Sequence, residues 1–358
     1  MIRVRLLNDH PLSAAFGGKE IQLFSYMKWI NSGHYGIELK LFNWWDPNEL
    51  EEVDIIHLFG CGSYLHFLKH ILAKYSCRVI ISPTLYSENN WKFGRIPFLL
   101  GKFIPIPNLL SNINNELELS DAIIVNSESE KQFILRNILN HNNIFVIYNS
   151  IEDDFNSITP EGEDLFVSKF GLDRFSYILS VGMLDERKNT LNLIKAFLEV
   201  HAQIKKKLVL IGSPRFRRKE VKSEVMKLIE KNKDKIILIP YIDRQAQLSI
   251  LKSAYFNSAF HVLPSLIETP GLSNLEAMYF GKACVVGRCK PVEEYFKDKA
   301  IYCNPTDLYS ICDSILRCDK MGVFNKDLSE FIANKYVFSK QIPRLVKLYR
   351  TLCGYDCC

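Results

Sequence analysis

The chain lacks most of the features that would place it in a specialised class. No apolar run in its 358 residues approaches the roughly 20 residues that cross a bilayer, and the opening MIRVRLLND alternates like a strand rather than running apolar like a signal peptide. An integral membrane or secreted role therefore recedes, and a cytoplasmic chain is expected. The ten cysteines contain no Cys-x-x-Cys, and Cys353, Cys357 and Cys358 gather only at the terminus, so the thiols read as reduced and no zinc ribbon is spelled out. The eight histidines form no metal-spaced cluster. An excess of charge of one sign is also lacking, with 45 Lys and Arg against 40 Asp and Glu. A net charge of +5 suits anionic ligands or a membrane surface and does not call for nucleic acid.

What is present is a globular composition, with 47% hydrophobic and 24% charged residues, on a chain long enough for two cores. Short apolar runs at 2–7, 36–43, 53–59, 78–82, 121–126 and 144–148 alternate with helical periodicity, which predicts a doubly wound parallel sheet. One predicted helix covers about 19–31, with apolar Ile21, Phe24, Met27 and Ile30. The pair Gly17-Gly18 opens it, either as a plain turn or as a place where backbone amides approach a diphosphate. Ser127 reads as a helix N-cap.

Near Asn149 the pattern is interrupted by an acid-rich connector, Glu152, Asp153 and Asp154, expected to be solvated. A second alternation follows, with strands at 177–181, 207–211 and 235–239 and helices near 190–199 and 246–255. The stretch around which the rest is arranged is HVLPSLIETPGLSNLEAMYFGKACVVGRCK, residues 261–290. It predicts strand, loop, helix, strand, with Glu268 on the loop and Glu276 in the first turns of the helix. Ser273-x-x-Glu276 also has the form of a capping box, which would make Glu276 structural.

Glu268-x7-Glu276, the Pro-Ser before it, the Glu-Ala-Met that closes it and Gly281 before a buried strand resemble the signature of family-4 retaining glycosyltransferases. The resemblance covers the second half almost completely and the first more loosely. It implies an α/β chain of GT-B fold, with two Rossmann-like doubly wound domains facing across a cleft. The first domain is expected over 1–150, joined by a C-terminal helix (about 337–358) that crosses back to it. The second, over 151–336, is expected to bind the nucleotide sugar.

The resemblance also implies a site. Lys188 and Arg187 would hold the donor diphosphate, Arg187 standing in for an arginine that Met183 replaces. Gly182, Gly271, Leu272, Ser273, Gly17 and Gly18 would bring backbone to the donor. Glu268 would hold the transferred sugar, Glu276 the ribose and Tyr241 the base. A histidine that many relatives carry after the fourth strand is missing here, where Ser82-Pro83-Thr84-Leu85 stands. Pro270 removes one N–H from the motif loop.

The reaction implied is retaining transfer of a sugar from a nucleoside diphosphate to a glycan or lipid-linked glycan, in surface polysaccharide or lipopolysaccharide assembly. No metal or other cofactor is expected. A non-catalytic relative that binds a nucleotide sugar, an epimerase and a phosphorylase are the alternatives. Residues 91–110, where Trp91, Phe93 and Phe98 alternate with Lys92, Arg95 and Lys102, either rest on a membrane as a peripheral contact or fold onto their own core.

Overall fold

The computed structural model describes residues 1–10, 17–87, 109–244 and 246–355. Most of the aromatic and basic segment at 91–110, on which a membrane contact was expected, lies outside them. The chain divides into two compact units, Met1–Ser150 with Phe338–Cys358, and Ile151–Val337.

Each unit is built on a six-stranded sheet in which every pairing is parallel. In the first unit β1 (Ile2–Asn8), β2 (Ile37–Leu41), β3 (Ile55–Phe59), β4 (Arg78–Ser82), β5 (Ala122–Val125) and β6 (Ile144–Val146) lie in the order β2-β1-β3-β4-β5-β6. The central strands are continuous apolar runs because helices cover both faces of a parallel sheet; β3 and β5 are buried at every residue. Several predicted strands extend past the observed ones. The strands predicted over 36–43 and 144–148 stop at Leu41 and Val146, although Phe42 N and Ile147 N still donate to Leu6 O and Val125 O at 3.0 and 2.9 Å.

The last helix, Phe338–Leu352, belongs to this first unit. Its apolar stripe, Phe338, Ile342, Leu345, Val346 and Tyr349, enters the core formed by Val4, Leu23, Ile55 and Ile80. A buried hydrogen bond pins it: His57 on β3 contacts Tyr349 Oη through Nδ1 at 2.8 Å and Ser82 Oγ through Nε2 at 2.8 Å. Burial pushes the imidazole down to about 3, so it serves here as a neutral hydrogen-bonding group.

The second unit carries β7 (Tyr177–Val181), β8 (Lys207–Ile211), β9 (Ile236–Ile239), β10 (Phe260–Leu263), β11 (Cys284–Gly287) and β12 (Ile301–Cys303). Their order, β12-β11-β10-β7-β8-β9, runs outward from β7 to β9 and then crosses to build β10 to β12 on the other side. The reversal falls between β7 and β10. At such a point the loops leaving two adjacent strands turn opposite ways and open a crevice at the carboxyl ends. The connector is not simply solvated: Phe155 is buried, and the carbonyls of Asp153 and Asp154 accept from Tyr279 Oη at 2.6 Å and Lys252 Nζ at 2.9 Å. Among the described residues no helix is long and apolar enough to cross a membrane.

Leu345 is fully buried, and its truncation removes apolar contacts on the sheet-facing side of the last helix. Leu345→Ala is expected to lower stability by about 2–5 kcal/mol, read as an earlier urea midpoint. Lys340→Ala on the exposed face of the same helix should leave the midpoint unchanged.

Candidate functional site

The site is assembled from the loops after β7 and β10. β7 is followed by Gly182, at φ 149°, and β8 by Gly212, at φ 154°. The two turns touch: a Cβ on Gly212 would lie 1.9 Å from the Gly182 carbonyl oxygen, so no larger residue fits without moving the β7 loop. That loop is then tied back through Leu184 N to Ser213 O at 3.0 Å and Arg215 N to Leu184 O at 2.9 Å. Glu186 accepts from the backbone of Arg217 and Arg218 at 3.1 and 2.9 Å.

Asn189 is the joint between the two loops. It adopts φ 59°, a left-handed conformation that asparagine tolerates better than most residues. Its Nδ2 donates to the carbonyls of Pro264 at 3.1 Å and Pro305 at 2.6 Å, and Leu266 N donates to Arg187 O at 2.8 Å. The end of β10 is thereby fastened to the turn that carries Arg187 and Lys188. Asp185 Oδ1 accepts from Lys188 N at 2.6 Å, which fixes that turn from the other side.

The consequence is an ion cluster. Glu268 Oε2 pairs with Lys188 Nζ and, at 3.2 Å, with Arg187 Nη1. The Glu268 and Lys188 side chains are each only 12% exposed, whereas Arg187 is 47% exposed. Gly271, at φ 86°, gives Glu268 room: a Cβ there would stand 3.0 Å from Glu268 Cγ. Burial alone would raise the Glu268 carboxyl, but the charge of Lys188, then that of Arg187, outweighs it and holds the group at about 2. Two cations against one carboxylate leave the cluster with a net positive charge.

Glu276 has a different surrounding. It lies in the helix Leu272–Tyr279 and is fully buried. Its Oε1 pairs with Arg244 Nη2, and its Oε2 accepts from Tyr255 Oη at 2.7 Å. The Arg244 guanidinium also lies 5.7 Å from the Phe155 ring centroid, an arrangement that favours a cation. The predicted capping box does not form. The helix starts at Leu272 with Gly271 as its N-cap and no side-chain cap, which puts Ser273 inside the first turn. Beneath the cluster, β10 presents His261, which burial chiefly, and Lys188 next, push down to about 3; Val181 N reaches its Nε2 at 3.4 Å.

The structure thus brings Gly182, Arg187, Lys188, Glu268 and Gly271 together, with Leu272 and Ser273 opening the helix that follows. Tyr241 stands after β9 and is 69% exposed, without a hydrogen bond that ties it to the cluster. Gly17 and Gly18 belong to the other unit. There the Gly17 amide donates to Glu20 Oε2 at 2.8 Å, so an anion arriving at that helix start meets a carboxylate already in place. Ser127 is the N-cap expected, accepting from Glu130 N at 3.0 Å. Sequence reasoning missed Arg244, Tyr255 and Asn189. Of these only Asn189, an asparagine just before a helix, carried a local signal.

The Glu268 ion cluster has a pH signature. Its folded carboxyl is held near 2 against an ordinary 4.5. It therefore contributes stability that is present above the ordinary value and is lost as pH falls toward the folded one. Glu268→Gln removes that contribution. Wild type should be the more stable at pH 7, and the gap should close between pH about 4.5 and about 2, as followed by denaturant melts across that range. A gap that persists unchanged at the acid end would place the stabilising interaction elsewhere.

Comparison with known proteins agrees with this layout. Residues 165–334 match the family described as Glycosyl transferases group 1. An uncharacterized glycosyltransferase of Methanocaldococcus jannaschii is 23% identical over 247 residues, a match that spans 65% of this chain and 59% of that protein. Sucrose-phosphate synthase from Thermosynechococcus elongatus superposes with a TM-score of 0.76 at 15% identity, covering 99% of this chain and 100% of that one. Anabaena HepE, solved in complex with UDP and glucose, gives 0.64 at 13% identity, covering 99% and 98%. The whole chain thus shares the GT-B fold of these solved structures, and its second unit carries the match to glycosyl transferases group 1.

Proposed function

We propose that the chain is a retaining glycosyltransferase that moves a sugar from a nucleoside diphosphate to a hydroxyl of a glycan or lipid-linked glycan. The observation that carries this reading is the Arg187–Lys188–Glu268 cluster, positively charged on balance, at the switch point of the glycosyl transferases group 1 domain. A crystal of the structural neighbour HepE contains UDP-glucose, which supports the same donor class here.

The chemistry asks for what this cluster offers. As the bond from sugar C1 to the diphosphate oxygen breaks, its electron pair leaves on the phosphate and positive charge develops on the sugar ring. Lys188 and Arg187 stabilise the first, together with the amides of Leu272 and Ser273 at the helix start. The acceptor oxygen bonds to C1, and its proton passes to an oxygen of the leaving diphosphate, so no side-chain base is needed. The chain's own cations supply the charge that a metal provides in other transferases. Glu268 accepts from sugar hydroxyls once phosphate takes over its cations.

In this reading Glu276 accepts from the two ribose hydroxyls. Its Arg244 partner is 29% exposed while Glu276 is 1% exposed. The ribose displaces Arg244, and the bond from Tyr255 stays. Surface polysaccharide assembly at the cytoplasmic face of a membrane is the setting that fits such an acceptor. Met183, in the position where relatives hold arginine, favours a second reading as a non-catalytic nucleotide-sugar binder, which binding without turnover would reveal.

Lys188→Ala and Glu276→Ala are each expected to lower the rate of nucleoside diphosphate release roughly 10²-fold or more, measured with a panel of nucleotide sugars and glycan acceptors. Near-normal rates in both variants would sink the site assignment. Proton NMR of the fresh product should show the donor's anomeric configuration kept, and an inverted product would exclude the retaining course.

A further inference from the structure

A second feature lies in the first unit, at the same carboxyl edge of its sheet where β2 ends. The loop after Leu41 carries Phe42, Trp44 and Trp45, and Phe67 stands on the helix that follows β3. Trp44 packs against Phe42 and Phe67 with ring centroids at 4.7 and 4.9 Å, and Phe42 meets Phe67 edge-on at 5.4 Å and 87°. Even so, Trp44 is 59% exposed and Trp45 is 92% exposed. Two adjacent tryptophans in water forgo the burial that rings of this size usually find.

This loop is built rather than loose. Asn43 Oδ1 accepts from Trp45 N at 3.1 Å, Asp46 Oδ1 accepts from Asn48 N at 2.9 Å, and Asn43 N donates to Glu49 Oε1 at 3.1 Å. Glu49 is held in turn by Arg5 Nε at 2.8 Å. Two side-chain turns in succession thus fix the backbone that carries both tryptophans, so the loop itself needs little ordering when a ligand arrives.

The charge around the rings selects the ligand. Residues 42–54 carry Asp46, Glu49, Glu51, Glu52 and Asp54 and neither lysine nor arginine. Arg5 pairs with Glu49 and Arg3 with Glu52, and Lys69 stands on the neighbouring helix, so the surroundings of the rings hold no surplus of cations. An anionic lipid surface or a phosphate finds no excess of positive charge there to hold it. A neutral saccharide fits it, because the C–H face of a sugar ring stacks on an indole while its hydroxyls donate to carboxylate and amide oxygens.

We infer that Trp44 and Trp45, with Asn43 and Asp46 beside them, form a saccharide-binding platform for a ring of an extended, uncharged glycan. This rests on the reading of the chain as a glycosyltransferase and narrows its acceptor to a glycan of several sugars.

The test uses the full chain, an array of neutral oligosaccharides, and titration of the best ligand followed by calorimetry. Trp45→Ala should weaken glycan binding about tenfold or more and leave nucleoside diphosphate binding unchanged. Trp45 makes no ring contact with this cluster, so folding is not at risk; Trp44→Ala, checked by its melting curve, should weaken binding further. Glycan binding that is equal in wild type and both variants would overturn the proposal, as would a wild type that binds no oligosaccharide. Co-sedimentation with phosphatidylglycerol vesicles, or a dimer, that is lost in Trp45→Ala would overturn it too by naming a different occupant. Failure to bind any nucleotide would count against the transferase reading alone, because the platform is scored on glycans.

Discussion

The contact between Glu268 and the Arg187–Lys188 pair is the interaction on which the second unit's site depends. A carboxylate that is only 12% exposed is costly to bury by itself, and it is stable here because two cations from another loop meet it. The converse holds as well. Lys188 is equally buried and would not sit beneath the turn without a counter-charge. Each loop thus supplies what the other needs, and the meeting point is the gap between β7 and β10, where the strand order reverses.

The surrounding features serve that meeting. Gly182 and Gly212 let two turns approach more closely than any side chain allows, and Gly271 makes room for the Glu268 stem. Asn189 takes a left-handed conformation and bonds to two carbonyls, a combination that an apolar residue could not provide. Glu276, bound by Tyr255 and Arg244, forms a second and separate ion pair in the same unit. The site therefore contains one cluster that is cationic on balance and one that is neutral, which is the division that a diphosphate and a sugar hydroxyl pair would require.

Much of this was legible from residues alone. Continuous apolar runs such as Tyr177–Val181 and Lys207–Ile211 mark buried parallel strands, and the motif loop with its following helix was evident from Pro264, Gly271 and Gly281. That Glu268 and Lys188, eighty positions apart, belong to one site came from resemblance to a family, since no local periodicity links such distant residues; their direct ion pair was not expected. Arg244 and Tyr255 stayed hidden for physical reasons. Arg244 sits in a turn where any polar residue is acceptable, and Tyr255 looks like one more apolar position on a packed helix. The alternative reading of Ser273-x-x-Glu276 as a capping box falls because Gly271, with its positive φ, starts the helix earlier. Adjacent tryptophans at 44 and 45 are plain in the sequence, but only their exposure shows that the core does not use them.

The central claim is that the switch-point cations exist to hold a nucleoside diphosphate. The most direct measurement is a thermal-shift titration of wild type and Lys188→Ala with UDP, GDP and ADP. At 100 times its dissociation constant a bound nucleotide adds about 2.7 kcal/mol, which raises the wild-type melting temperature by roughly 5–10 °C. The account predicts that shift for one of the three nucleotides and its loss in Lys188→Ala. An equal shift in the variant, or no shift with any nucleotide, would contradict it.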